Sequence, residues 1–159
     1  MKCLIAVVSY HHNNTERIAQ VLAKVLDAQI RTPSQIDPAE LQGFDLIGFG
    51  SGIDSGRNYQ VLLDFAEKLP RSANGKAFIF STNGTPVKVW NAQMMTENHS
   101  ALRELLLSKG YTIMDEFTCP GLNTNSFLRH FGGINKGRPN AEDLRSAEEF
   151  ARRLKDQLQ

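Results

Sequence analysis

Residues 2–27 read KCLIAVV-SYHHNNT-ERIAQVLAKVLD and change character twice. The first seven form an apolar run rich in Val, the pattern of a strand buried on both faces. The next seven are polar or aromatic and contain no glycine. After them Ile18, Ala19, Val21, Leu22, Val25 and Leu26 recur at helical spacing. A strand, a polar loop and an amphipathic helix make half of a crossover unit.

The rest of the chain keeps this rhythm. Residues 28–32 read as a short edge strand stopped by Pro33, and 33–43 as a connection with two prolines. Strands are expected over 45–51, 76–81 and 111–118, with glycines 50, 52 and 56 marking a loop after the first of these. Helices are expected over 58–69 and 97–109, the latter ended by Gly110. Asn140 caps a last helix, with Asp143 completing a capping box. Five strands alternating with four helices imply right-handed crossovers and a parallel sheet covered on both faces. The expectation is one α/β domain over residues 1–159.

Composition narrows the function classes. A chain of 159 residues, 41% hydrophobic, buries a core without staples. Its formal charge of +1 favours neither nucleic acid nor an anionic membrane. No apolar run approaches the roughly 20 residues that span a bilayer. The first residues lack the apolar region of a signal peptide, so the cytoplasm is expected. Cys3 opens the first strand and Cys119 closes the last. They are expected at opposite edges of the sheet, both reduced.

In doubly wound folds ligands bind outside the carboxyl ends of the strands. The segments leaving those ends are 9–15, 51–58, 81–91 and 119–139. The first has neither the glycines of a dinucleotide fingerprint nor the Gly-Lys-Ser/Thr of a P-loop. Gly48-Phe49-Gly50-Ser51-Gly52 fits neither GxGxxG nor GxSxG. What the first loop offers is a hydroxyl at each end, Ser9 and Thr15, with Asn13 and Asn14 before a helix N-terminus that suits a phosphate. Asparagine also tolerates left-handed backbone angles. Helix capping by Asn14 and anion binding are compatible readings of the same residues.

Ser9-Tyr10-His11-His12-Asn13-Asn14-Thr15 resembles the phosphate-binding loop of flavodoxins, a hydroxyl residue followed by Thr-Gly-Asn-Thr. The match lies in Ser9 and in Asn14-Thr15; the loop is one residue longer, and His12-Asn13 replaces Thr-Gly. The likeness extends over nearly the whole chain, although flavodoxins are distinctly acidic. It implies a five-stranded sheet in the order 2-1-3-4-5 and bound FMN. Ser9, His12, Asn14 and Thr15 would hold the phosphate, with His11 and Asn13 of the same loop also among the cofactor-binding residues. Ser51, Gly52, Ile53 and Asp54 would lie along the flavin, with the Gly52 carbonyl or a neighbour facing N5. Ser81, Thr82, Asn83, Gly84 and Thr85 would meet the pyrimidine edge. Trp90 and Tyr59 are candidates for covering the ring, with Phe127 and Phe131 as others, and core or surface packing is the alternative for each.

Residues 119–139, CPGLNTNSFLRHFGGINKGRP, carry Arg129, His130, Lys136 and Arg138 and no acid. The segment exceeds the length at which structureless loops become unusual. It reads as a basic flap beside the cofactor or as an extended packed connection. Its Gly-Gly-x-x-x-Gly-Arg-Pro resembles a microbial subgroup of the flavodoxin family. His11 and His12 are adjacent and lack a partner at zinc-ligand spacing, so no metal is expected. Three functions fit: an FMN carrier between redox partner proteins, a small FMN-dependent NAD(P)H:quinone-type reductase, or a flavin-free binding module.

Overall fold

The computed structural model describes residues 1–159. In chain order the elements are β1 (Cys3–Val8), α1 (Asn14–Leu26), β2 (Ala28–Arg31), β3 (Leu46–Asp54), β4 (Arg57–Asn58), α2 (Gln60–Glu67), β5 (Lys76–Asn83), α3 (Ala92–Ser108), β6 (Thr112–Pro120) and α4 (Ala141–Asp156). Short 3-10 turns occupy Pro33–Gln35, Pro38–Gly43, Val87–Val89 and Ser126–Phe131.

The parallel sheet runs β2-β1-β3-β5-β6. This is the expected five-strand order, renumbered by β4, a two-residue strand antiparallel to β3 that sequence patterning assigns to a loop and the next helix. Ser55 and Gly56, both at positive φ, form the two-residue turn between β3 and β4. α2 therefore starts at Gln60 rather than at 58.

Glycines explain a second misplaced boundary. β3 continues to Asp54, so Gly50 and Gly52 are strand residues, not loop markers. A Cβ on Gly48 would stand 2.3 Å from Phe78 Cζ, and one on Gly50 2.1 Å from Phe80 Cζ. Both residues are glycine because two buried phenyl rings lie against that strand. α3 starts earlier than expected, at Ala92, where the Asn91 side chain accepts the Met94 N–H at 2.8 Å. Asn140 and Asp143 form the capping box of α4, and Gly110, at φ 86°, follows α3.

Alternation along β1 divides the core. Leu4, Ala6 and Val8 join Leu62, Leu63, Ala66, Leu102 and Leu106 of α2 and α3. Cys3, Ile5 and Val7 join Ile18, Leu22, Ala147, Phe150 and Leu154 of α1 and α4. Helices thus cover both faces, as a doubly wound sheet requires. Both cysteines are free and buried. Cys119 lies on edge strand β6, whereas Cys3 lies on β1, one strand in from the opposite edge. Strand order reverses between β1 and β3, and the crevice this opens at their carboxyl ends is where a ligand fits.

Candidate functional site

A cavity of about 370 Å³ opens at that switch point. Its wall draws on every expected loop: Ser9, Tyr10, His11, Asn14 and Thr15; Gly52, Ile53, Asp54 and Tyr59; Thr82 and Gly84; and Gly121, Leu122, Asn123 and Asn125. A larger depression of about 880 Å³ lies at the amino end of β5, around Arg71, Asn74 and Lys76, away from these loops.

The first loop is a curl of backbone. His12 and Asn13 both stand at φ 53°, and Asn14 begins α1. His12 and Asn13 are the central residues of a tight turn closed by the Asn14 N–H, which donates to the His11 carbonyl at 3.2 Å. The turn stands at the positive end of the α1 dipole, a position that suits an anion. Asn13, not Asn14, is the N-cap residue, and its side chain makes no capping hydrogen bond. Ser9 Oγ instead accepts the Glu16 N–H at 3.3 Å. The Asn14 amide crosses to donate to the Leu122 carbonyl at 3.0 Å, and Thr15 Oγ1 meets Thr82 Oγ1 at 2.8 Å. His11 lines the cavity, while His12 Nε2 lies 2.7 Å from Thr124 Oγ1.

The second wall is held from behind by Ser51. Its buried hydroxyl donates to the Gly52 carbonyl at 2.7 Å and accepts from Asn58 Nδ2 and the Tyr59 N–H. Gly52 is paired with Thr82 in the sheet, and its carbonyl already has this partner. Gly56 stands at the hairpin tip with φ 76°, a left-handed angle that glycine adopts without strain. Asn58 Oδ1 is buried and has no hydrogen-bond partner among the described residues. Tyr59 closes over Gly52, where a Cβ would stand 2.3 Å from its hydroxyl. Tyr10 stacks on Tyr59 with ring centroids 5.1 Å apart. Burial raises the Tyr59 phenol above its ordinary range, and Asp54 and Tyr10 add to this.

The third segment splits between two tasks. Thr82 and Gly84 reach the cavity, whereas Ser81 points the other way. Its hydroxyl lies 2.7 Å from His99 Nε2 and 2.9 Å from Thr118 Oγ1. His99 Nδ1 meets Glu116 Oε2 at 2.8 Å, and Arg103 clasps the same carboxylate through Nε and a terminal nitrogen at 2.5 and 2.7 Å. Burial would raise the Glu116 carboxyl, but the hydrogen bonds from His99 and Arg103 outweigh it and hold it down at about 2. An ionised carboxylate only accepts, so Nδ1 carries a proton. The connectivity is that of a catalytic triad. Ser81 is wholly buried, however, so the chain is a clamp behind β5. Sequence patterning misses it, because its members are scattered over β5, α3 and β6.

Asn83 and Thr85 brace the turn after β5. Asn83 Oδ1 accepts the Thr85 N–H at 2.8 Å, and the Thr85 carbonyl accepts from Trp90 Nε1 and Asn135 Nδ2, both at 2.9 Å. Among the described lining residues the aromatics are Tyr10 and Tyr59, and Trp90, Phe127 and Phe131 stand outside the cavity. Tyr10, Gly121, Leu122, Asn123 and Asn125 also line the cavity. The sequence places their loops at this edge but does not assign these residues individually, because position across the crevice is a property of the topology.

No protein-family model matches the chain. An uncharacterized protein of Methanocaldococcus jannaschii is 42% identical to it over 97% of this chain and 98% of that protein, and the two belong to one family. Among solved structures, flavodoxin 2 from Bacillus cereus superposes with a TM-score of 0.68 at 18% identity, over 99% of each chain. A short-chain flavodoxin associated with a PDU bacterial microcompartment does so with a TM-score of 0.69 at 16% identity, over 100% of each. The fold is flavodoxin-like.

Proposed function

We propose that this flavodoxin-fold chain binds FMN in the cavity at the β1–β3 switch point and carries electrons between partner proteins. The observation that supports the reading best is the curl at His12 and Asn13, where consecutive left-handed residues lead into α1 beside Ser9 and Thr15. The described lining residues include no lysine or arginine, so a phosphate there would rely on amide donors, hydroxyls and the helix dipole. Tyr10, Tyr59, Ile53 and Leu122 supply apolar surface for a ring system, and the cavity lies in the size range of cofactor sites. Thr82 and Gly84 would approach its polar edge. Bound FMN would supply the redox chemistry, and the chain's residues would bind, orient and shield it. On this reading the partners are soluble redox proteins of the cytoplasm, and neither nucleic acid nor membrane is required.

The test is an absorbance spectrum of the purified protein, with any released chromophore identified by chromatography and FMN and riboflavin titrated against the apoprotein. Flavin bands, recovered FMN and markedly weaker riboflavin binding are expected. A colourless protein that takes up neither compound would sink the reading. Equal affinity for the two would remove the first loop from the phosphate role.

A further inference from the structure

We infer that the segment between β6 and α4 is a docking face for the acidic rim of an electron-carrying partner protein. The 3-10 turn Ser126–Phe131 presents Phe127 and Phe131 at 66% and 81% exposure, the most exposed large apolar side chains among the described residues. Arg129 and His130 lie between them, and Lys136 Nζ lies 3.9 Å from where a Cβ on Gly132 would stand. Residues 119–139 contain no acid, and among the described residues neither Arg129 nor Lys136 is in an ion pair. Arg138, the remaining cation of the segment, is committed to Asp143.

The patch is held rather than loose. His12 contacts Thr124, Asn123 pairs with Ile134 in an isolated bridge, and Asn135 Nδ2 donates to the carbonyls of Asn83, Thr85 and Gly121. Asn125, directly before the turn, lines the cavity, so a partner seated on the turn also reaches the cavity mouth. Exposed aromatics flanked by uncommitted cations are the composition of a protein interface whose partner is acidic. A six-residue turn with one arginine falls short of the long amphipathic helix or paired anchors that hold a protein on lipid. That the partner carries electrons rests on the FMN reading; the docking face does not.

The test is an NMR titration of the ¹⁵N-labelled full chain with a small acidic ferredoxin, and with basic cytochrome c as the opposite probe. Ferredoxin is expected to perturb amides of residues 125–136. Arg129→Glu with Lys136→Glu, or Phe127→Ala with Phe131→Ala, should weaken that binding by about tenfold or more, and added salt should weaken it too. FMN affinity, measured separately, should not change in either variant. Perturbations elsewhere, indifference to charge reversal, or preference for cytochrome c would overturn the inference. So would binding to phosphatidylserine vesicles without binding to ferredoxin. A chain that binds ferredoxin here but takes up no FMN would overturn the flavin reading and leave the docking face standing.

Discussion

Thr15 Oγ1 lies 2.8 Å from Thr82 Oγ1, tying the first turn of α1 to the carboxyl end of β5 inside the cavity wall. Both side chains are buried, so each hydroxyl has few other partners. Thr15→Val keeps the shape and strands the Thr82 hydroxyl, at a cost of roughly 1–3 kcal/mol. Urea unfolding should show that loss, and an FMN titration should show weaker binding. The double variant with Thr82→Val should lose less stability than the sum of the two single changes, because the second substitution removes the stranded group. Unchanged FMN affinity in Thr15→Val would take this pair out of the cofactor site.

Glu116 predicts an acid limb in the stability profile. Its carboxyl is held at about 2 in the folded protein against an ordinary 4.5, so the folded state favours the ionised form. The stabilisation is fully present above pH 4.5 and is lost as pH falls toward 2, and it amounts to something on the order of 3 kcal/mol. Glu116→Gln should therefore be less stable than the parent at pH 7, and the two should converge near pH 2. Denaturant midpoints measured from pH 2 to 7 read this directly. A difference that stays constant across the range would mean that the carboxylate's charge contributes nothing.

How much was legible beforehand depended on whether the signal was local. β1 and α1 are visible because burial writes period and composition into the sequence, as with Leu4, Ile5, Ile18 and Leu22. The four loops that build the cavity follow from the order of elements alone. What stayed hidden depends on neighbours distant in sequence. Gly50 reads as a loop residue until Phe80 is placed against it. The Ser81–His99–Glu116 clamp needs the register of β5 with β6, which no single segment contains.

Gly50 turns that lesson into a measurement. Since a Cβ there would stand 2.1 Å from the ring of wholly buried Phe80, Gly50→Ala forces the phenyl or the strand to move. Overpacking of this kind costs typically about 1–3 kcal/mol. Glycine in an unhindered loop would tolerate alanine, and the same substitution at Gly43, where a Cβ meets nothing within 4 Å, serves as the control. Gly50→Ala should lower the urea midpoint clearly, and Gly43→Ala should leave it nearly unchanged. Equal effects would contradict the placement of Gly50 in the strand.

Asn14 couples the first loop to the last. Its buried side chain donates to the Leu122 carbonyl, and Gly121 lacks a Cβ where one would stand 2.8 Å from Asn14 Nδ2. Asn14→Ala removes the only side-chain tie that α1 makes to the Leu122 backbone among the described residues, leaving that carbonyl without this donor. Global stability should fall by about 1 kcal/mol, the scale of one lost hydrogen bond. The local effect should be larger: amide exchange in residues 121–125 should accelerate while the strands stay protected, because a wall segment can open without the core. FMN affinity should fall with it, since the loosened residues form one side of the cavity. If exchange accelerates uniformly across the sheet instead, Asn14 supports the whole fold rather than this wall.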